Sequence, residues 1–277
     1  MKLGIFGPGL GALYVSAEIA RLQPDLGFVH LADVTNNPYG SRPAGEIKEL
    51  VKGALRALKE LGCDVAAIAC NTSSIQLEDA LRELRPVERP TQAISLVNVT
   101  VNELTQSPDR SGLLILGTVA TINGEVFSDR LDWGASDIDV QEHAIPGLVE
   151  LIDENAPREK MLAVIKRGLV NGSVDWTRVE RVGLFCTHFP IVREVISQVC
   201  NAAAGKELKV IAQADFLATR LGESSQLDRE RNPGRQVIAT DVDPIFEGAA
   251  ARLFAGRQVK ILEAGLMLHP RALYPSQ

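Results

Sequence analysis

An α/β architecture with largely parallel sheets, divided between two domains, is predicted by three observations. Short Val-, Ile- and Leu-rich runs alternate with helical patterns along the chain, the signature of strands connected by crossover helices. The 277 residues suffice for two ordinary domains of roughly 100–200 residues each. The composition, 45% hydrophobic and 23% charged, matches soluble globular proteins and implies well-buried cores.

Strands are expected near 2–6, 28–33, 65–70, 112–117, 138–144, 181–186, 209–214 and 236–241. Between the second and third, Ile47, Leu50, Val51, Ala54, Leu55 and Leu58 recur at helical spacing from about Glu46 to Leu61, with Lys48, Glu49, Lys52 and Lys59 elsewhere. That helix should cover one side of a sheet. Polar stretches at 104–111 and 222–235 interrupt the pattern, and the second is the better candidate for a mobile surface loop. The expected partition is 1–96 plus 212–277 for an N-terminal domain completed by the C-terminal segment, and 97–211 for the second.

A net charge of −6 without a Lys/Arg cluster gives no electrostatic footprint for nucleic acid or an acidic membrane. Met1 runs directly into the first expected strand, with no signal-peptide region and no apolar stretch of ~20 residues. A cytoplasmic protein with a small-molecule partner is expected. The four cysteines show no zinc-ligand spacing, so no metal is expected and all four should be free thiols. Cys63 and Cys200 lie in helical-looking segments and read as packing residues.

Cys70 and Cys186 are different. Each closes an apolar run and opens onto a polar turn, in Asp64-Val-Ala-Ala-Ile-Ala-Cys-Asn-Thr-Ser-Ser and Arg181-Val-Gly-Leu-Phe-Cys-Thr-His-Phe-Pro. In parallel sheets, ligands bind beyond the carboxyl ends of strands, where both thiols stand. A helix starting after each would lower its pKa toward neutrality and favour an anionic ligand. Two such groups can remove a proton from one face of a substrate carbon and return it to the other, which is racemisation without a cofactor.

The sequence resembles the glutamate racemases, within the aspartate/glutamate racemase superfamily, over nearly its whole length. The matching segments are Gly4-Ile-Phe-Gly-Pro-Gly, Ala32-Asp-Val-Thr-Asn-Asn-Pro-Tyr-Gly-Ser, Ala69-Cys-Asn-Thr-Ser-Ser, Leu116-Gly-Thr-Val-Ala-Thr, Pro146-Gly-Leu-Val-Glu-Leu-Ile-Asp, Phe185-Cys-Thr-His-Phe-Pro and Ala239-Thr-Asp-Val-Asp-Pro-Ile-Phe. The resemblance implies two similar α/β domains related by a pseudo-twofold axis, with the site between them and no cofactor. It implies that Cys70 takes the α-proton of D-glutamate and Cys186 that of L-glutamate, the opposite thiol donating. The substrate would be a small carboxylate, an acidic amino acid. Asn71, Thr72, Thr118, Thr121 and Thr187, with N–H groups around Tyr39 and Gly40, would bind its carboxylates and stabilise the enediolate. Each threonine can also serve as a helix N-cap. His188 would poise Cys186, and Asp153 falls where the family carries a catalytic glutamate; solvated helix surface is the competing reading. Homodimers and a supply of D-glutamate to peptidoglycan synthesis are further family expectations.

The pattern breaks after the first strand. Glutamate racemases carry Asp-Ser-Gly there, the acid contacting the amino group and the serine also binding substrate; this chain has Gly7-Pro8-Gly9. A carboxylate, a hydroxyl and one backbone donor are lost, and with them a charge-assisted contact of about 1.5–3 kcal/mol. Three readings follow: an acidic amino-acid racemase in which Asp33, Asp153 or Asp215 meets the ammonium group, a paralogue for a different carboxylate with space opened at Gly7, or an inactive binding or regulatory relative. The intact cysteine motifs favour the first two. Gly7-Pro8-Gly9-Leu10-Gly11 lacks the lysine and the spacing of nucleotide loops.

Overall fold

The computed structural model describes residues 1–133, 137–170, 174–230 and 233–263. In chain order its strands are β1 (Leu3–Gly7), β2 (Phe28–Ala32), β3 (Val65–Ile68), β4 (Gln92–Ser95), β5 (Leu113–Gly117), β6 (Val140–Ala144), β7 (Arg181–Leu184), β8 (Lys209–Ala212), β9 (Arg235–Ala239) and β10 (Lys260–Glu263). They form two wholly parallel sheets, ordered β10-β9-β2-β1-β3-β4 and β6-β5-β7-β8. The central strands β1, β2, β3 and β5 are buried at every residue, as strands covered on both faces must be.

All eight expected strands are present. β4 and β10 are additional, and both are sheet edges that present Gln92, Lys260 and Glu263 to solvent. Half-exposed edges of four residues lack the apolar run that marks a buried strand.

Helices cover both faces of each sheet. The expected amphipathic helix spans Ala44–Glu60, and all six of its predicted apolar residues are buried. With Leu77–Glu83 it covers one face of the larger sheet. Gly9–Leu22, Gln213–Gly222 and Pro244–Leu253 cover the other. The chain leaves the larger sheet after β4 through the helix Leu96–Gln106 and returns after β8 through Gln213–Gly222. Leu96 and Val99 of the outgoing helix enter one core and Val97 and Leu104 another, so this helix joins the two sheets.

The polar stretch at 104–111 is the end of that helix and its cap. Arg110 donates to the carbonyls of Leu104, Thr105 and Ser107, which have no partners within the helix. The 222–235 stretch corrects the expectation of a mobile loop, apart from residues 231 and 232, which lie outside the described residues. Arg229 donates to the Asp25 carboxylate and to the carbonyls of Leu221 and Gly222, and Asp228 pairs with the N-terminal ammonium. These contacts pin the stretch at the amino-terminal edge of the larger sheet, away from both thiol motifs.

Among the described residues, no helix is long and apolar enough to cross a membrane.

Candidate active site

Parallel register decides which residues meet. β1 lies between β2 and β3, with Gly7 level with Ala32 and Phe6 level with Ile68, so Pro8, Asp33 and Cys70 emerge at one edge. In the smaller sheet, Leu116 is level with both His143 and Leu184, which brings Thr118 and Cys186 out together. The two edges face each other across a narrow cleft. Cys70, Cys186, Pro8, Tyr39, Gly40, Asn71, Thr72, Thr118, Thr121, Thr187 and His188 all line it, joined by Asn37 and Val149.

The Cys186 side is built from a rigid floor. Phe185, fully buried, stacks at a tilt on Phe127 with ring centroids 4.6 Å apart, an arrangement worth roughly 0.5–1.5 kcal/mol beyond its burial. Gly183 makes room for that ring: a Cβ there would lie 2.7 Å from it. Beyond Phe185 the backbone turns, and His188 faces back so that its Nδ1 lies 3.9 Å from the Cys186 sulfur. Its Nε2 lies 3.2 Å from Asp153 Oδ1, an ion-pair contact outside hydrogen-bond alignment. Burial opposes charge on the ring, but Asp153 and Cys186 together outweigh it and raise the His188 pKa to about 10. His188 is therefore a cation at neutral pH.

Asp153 ends the short helix Leu148–Asp153. It stands behind His188, outside the cleft lining, and its other oxygen accepts a 2.9 Å hydrogen bond from Asn37 Nδ2. It is neither solvated helix surface nor a group in direct reach of a ligand.

The Cys70 side has no such chain. Cys70 precedes the single-turn helix Asn71–Ile75. The expectation that this helix lowers its pKa is overturned: burial is the largest effect and pushes the thiol up, against smaller opposing contributions from Ser73 and His188. A macrodipole summed over five residues is too small to reverse the desolvation. For Cys186 the expected geometry is also absent, because a turn and the 3-10 segment Phe189–Val192 follow it before the helix Arg193–Ala204 begins. Its electrostatic partner is His188.

Asn71 is corrected in role. Both hydrogens of its amide are already donated, to the Phe185 carbonyl at 2.6 Å and to Gln213 Oε1 at 2.7 Å, and its oxygen accepts from Gln213 Nε2. The side chain clasps the two edges together and leaves only the backbone N–H of the helix start for a ligand. Thr118 caps the helix Val119–Asn123, accepting from the Thr121 N–H, and its hydroxyl lies 3.0 Å from that of Thr121. Capping and lining are combined in one residue. The Tyr39 hydroxyl donates to Asp33 at 2.6 Å, so Tyr39 presents backbone to the cleft.

Gly7 does not open space for a substrate. It lies beneath the lining, where a Cβ would stand 2.6 Å from that of Ala12. Nor do the candidate acids reach the cleft. Asp33 is consumed by Tyr39, Asn36 and Thr240. Asp215 sits on the Gln213–Gly222 helix near Glu18, and burial pushes its carboxyl up. Cys63 and Cys200 are buried packing residues, with thiols pushed by burial to about 11 and 12.

Three contributors have no chemical signature in the sequence. Asn37 shows only as the residue before Pro38-Tyr39-Gly40. Gln213 is one more polar residue at a helix start. Gly11 permits the two halves to close, since a Cβ there would lie 2.5 Å from both His188 Nδ1 and Thr187 Oγ1.

The sequence model of the Asp/Glu/Hydantoin racemases matches residues 16–221. A glutamate racemase of Phenylobacterium zucineum is 32% identical over 92% of this chain and 97% of its own length. One from Roseiflexus sp. is also 32% identical, over 85% of this chain and 82% of its own. The fold matches that of the glutamate racemase isoform RacE1 of Bacillus anthracis, with a TM-score of 0.80 at 23% identity over 96% and 97% of the two chains. It also matches a glutamate racemase of Francisella tularensis determined with D-glutamate, with a TM-score of 0.79 at 20% identity over 97% and 98%. With sequence match, fold and a cleft holding one thiol from each sheet all in agreement, the chain belongs to the Asp/Glu/hydantoin racemase family.

Proposed function

We propose that this protein is a cofactor-independent glutamate racemase in which Cys70 and Cys186 exchange the α-proton across a planar intermediate. The observation that carries the reading is the placement of both thiols on one cleft, Cys186 backed by the protonated His188. With L-glutamate bound, the Cys186 thiolate takes the α-proton and the Cys70 thiol delivers its own to the opposite face. The D-enantiomer reverses both transfers, so the thiols end with exchanged protonation states. The developing enediolate is met by the Thr72, Thr118, Thr121 and Thr187 hydroxyls and by free N–H groups at Tyr39-Gly40 and at the start of the Asn71–Ile75 helix.

The reading includes residues 1–96 plus 212–277 and residues 97–211 as two domains, a cytoplasmic setting, a homodimer and delivery of D-glutamate to peptidoglycan synthesis. It is tested in deuterated water. Each glutamate enantiomer should exchange its α-proton and lose optical activity, as followed by NMR and circular dichroism. If neither glutamate nor a panel of other acidic and neutral amino acids exchanges or racemises, the reading fails.

One observation bears on substrate range: among the described residues lining the cleft, none is acidic. The ammonium group of an amino acid therefore needs another acceptor.

A further inference from the structure

We infer that Asn37 is the acceptor for the substrate's α-ammonium group, in the place of the acid missing at Gly7-Pro8. The inference rests on the amino-acid reading above and names the residue that makes it workable.

Asn37 lines the cleft, and the chemistry of its neighbour fixes its orientation. An ionised carboxylate only accepts, so the amide face turned to Asp153 is Nδ2, and Oδ1 remains as an acceptor without a partner among the described residues. Donation to a carboxylate polarises the amide and increases the negative charge on Oδ1, because hydrogen bonds in a chain reinforce one another. The charge of Asp153 thus reaches the cleft through Asn37 while the carboxylate itself stays behind His188.

The loop after the first strand leaves room for this side chain. Gly9 has φ of +59°, and a Cβ there would lie 2.8 Å from Asn37 Nδ2. Gly7-Pro8 removes an acid and a hydroxyl from the first strand's end, while Gly9, the glycine also found in Asp-Ser-Gly, leaves the volume that Asn37 occupies. The carboxylate lost at Gly7-Pro8 is replaced by a carboxylate-backed amide that Gly9 accommodates. Asp33 does not line the cleft, its carboxylate being turned to Tyr39, Asn36 and Thr240.

The test compares glutamate with glutarate, which has the same two carboxylates and no amino group. Calorimetric dissociation constants for both are measured with wild type, Asn37→Ala and Asn37→Asp. Asn37→Ala should weaken glutamate about tenfold, the loss expected for one hydrogen bond to a charged group, and leave glutarate within about twofold. Asn37→Asp should raise the preference for glutamate over glutarate, since a carboxylate attracts the ammonium group and repels a dicarboxylate. Equal losses on both ligands in Asn37→Ala, no loss on glutamate, or an unchanged preference in Asn37→Asp would overturn the inference. Exchange of the glutamate α-proton by wild type is recorded separately. If exchange is absent while the ligand-selective loss persists, the racemase reading falls and the assignment of Asn37 stands.

Discussion

The two thiols share a cleft but not an environment. Behind Cys186 runs a chain of contacts, His188 to Asp153 to Asn37, which holds a cation 3.9 Å from the sulfur and crosses from the smaller sheet to the larger. Behind Cys70 lies one helical turn and, below it, Gly7 packed against Ala12. Burial therefore wins at Cys70 and holds its thiol up. Cys186 has the His188 imidazole at its sulfur, and Cys70 has no comparable contact. A reaction that treats mirror images alike is carried out by two unlike halves.

The largest effect that bears on this comparison is loss of either sulfur. Cys70→Ser and Cys186→Ser should each lower racemisation of glutamate by about 10³-fold, measured by circular dichroism, because a serine hydroxyl is a far weaker acid. A loss confined to one variant would show that a single base serves both faces.

His188→Asn comes next, lowering kcat/KM about 10²-fold. The enantiomers have equal free energies, so kcat/KM must fall equally in the two directions, and the asymmetry shows instead in isotope effects. With α-deuterated substrates, the effect should grow for L-glutamate, whose proton goes to Cys186, and shrink for D-glutamate. Identical changes for both would remove the distinction between the two sides.

A third effect is on stability. The folded pKa of His188, about 10, lies above its ordinary 6.5. Its contribution is complete below pH 6.5 and is lost as pH rises toward 10, because the folded state there holds the extra proton. His30 has the opposite sign. Fully buried, with Nδ1 2.7 Å from the Ser16 hydroxyl, it is pushed by desolvation down to about 3. The unfolded chain then binds the additional proton below 6.5, and stability falls as pH drops toward 3. Melting temperatures of wild type should decline on both flanks. His188→Asn should flatten the alkaline flank alone, and an unchanged alkaline slope would refute the charge assigned to His188.

Much of this was legible in the chain. Eight strands, the helix after β2 and both thiols follow from apolar runs and the polar turns after them, while most of the cleft lining follows from the resemblance to the glutamate racemases. Two of the four edge strands, β4 and β10, escaped, being four residues long with polar residues toward solvent, while the edges β6 and β8 were found. The acid–base chain was half visible: Asp153 and His188 could be named from the motifs, but their contact depends on a helix end in one segment meeting a turn in another. Asn71 was misread because an amide beside a thiol suggests a ligand donor. Only the position of Gln213, far along the chain, shows that both of its hydrogens are already taken.

That clasp also governs how the site can change. Asn71 follows one thiol and grips the carbonyl of Phe185, the residue before the other, so the jaws are set to a fixed gauge by the protein itself. A bulkier molecule cannot be admitted by prising them apart without breaking a buried amide pair. New specificity must be cut into the rim, at Asn37, Val149 and Thr118, while the spacing of the sulfurs is inherited unchanged.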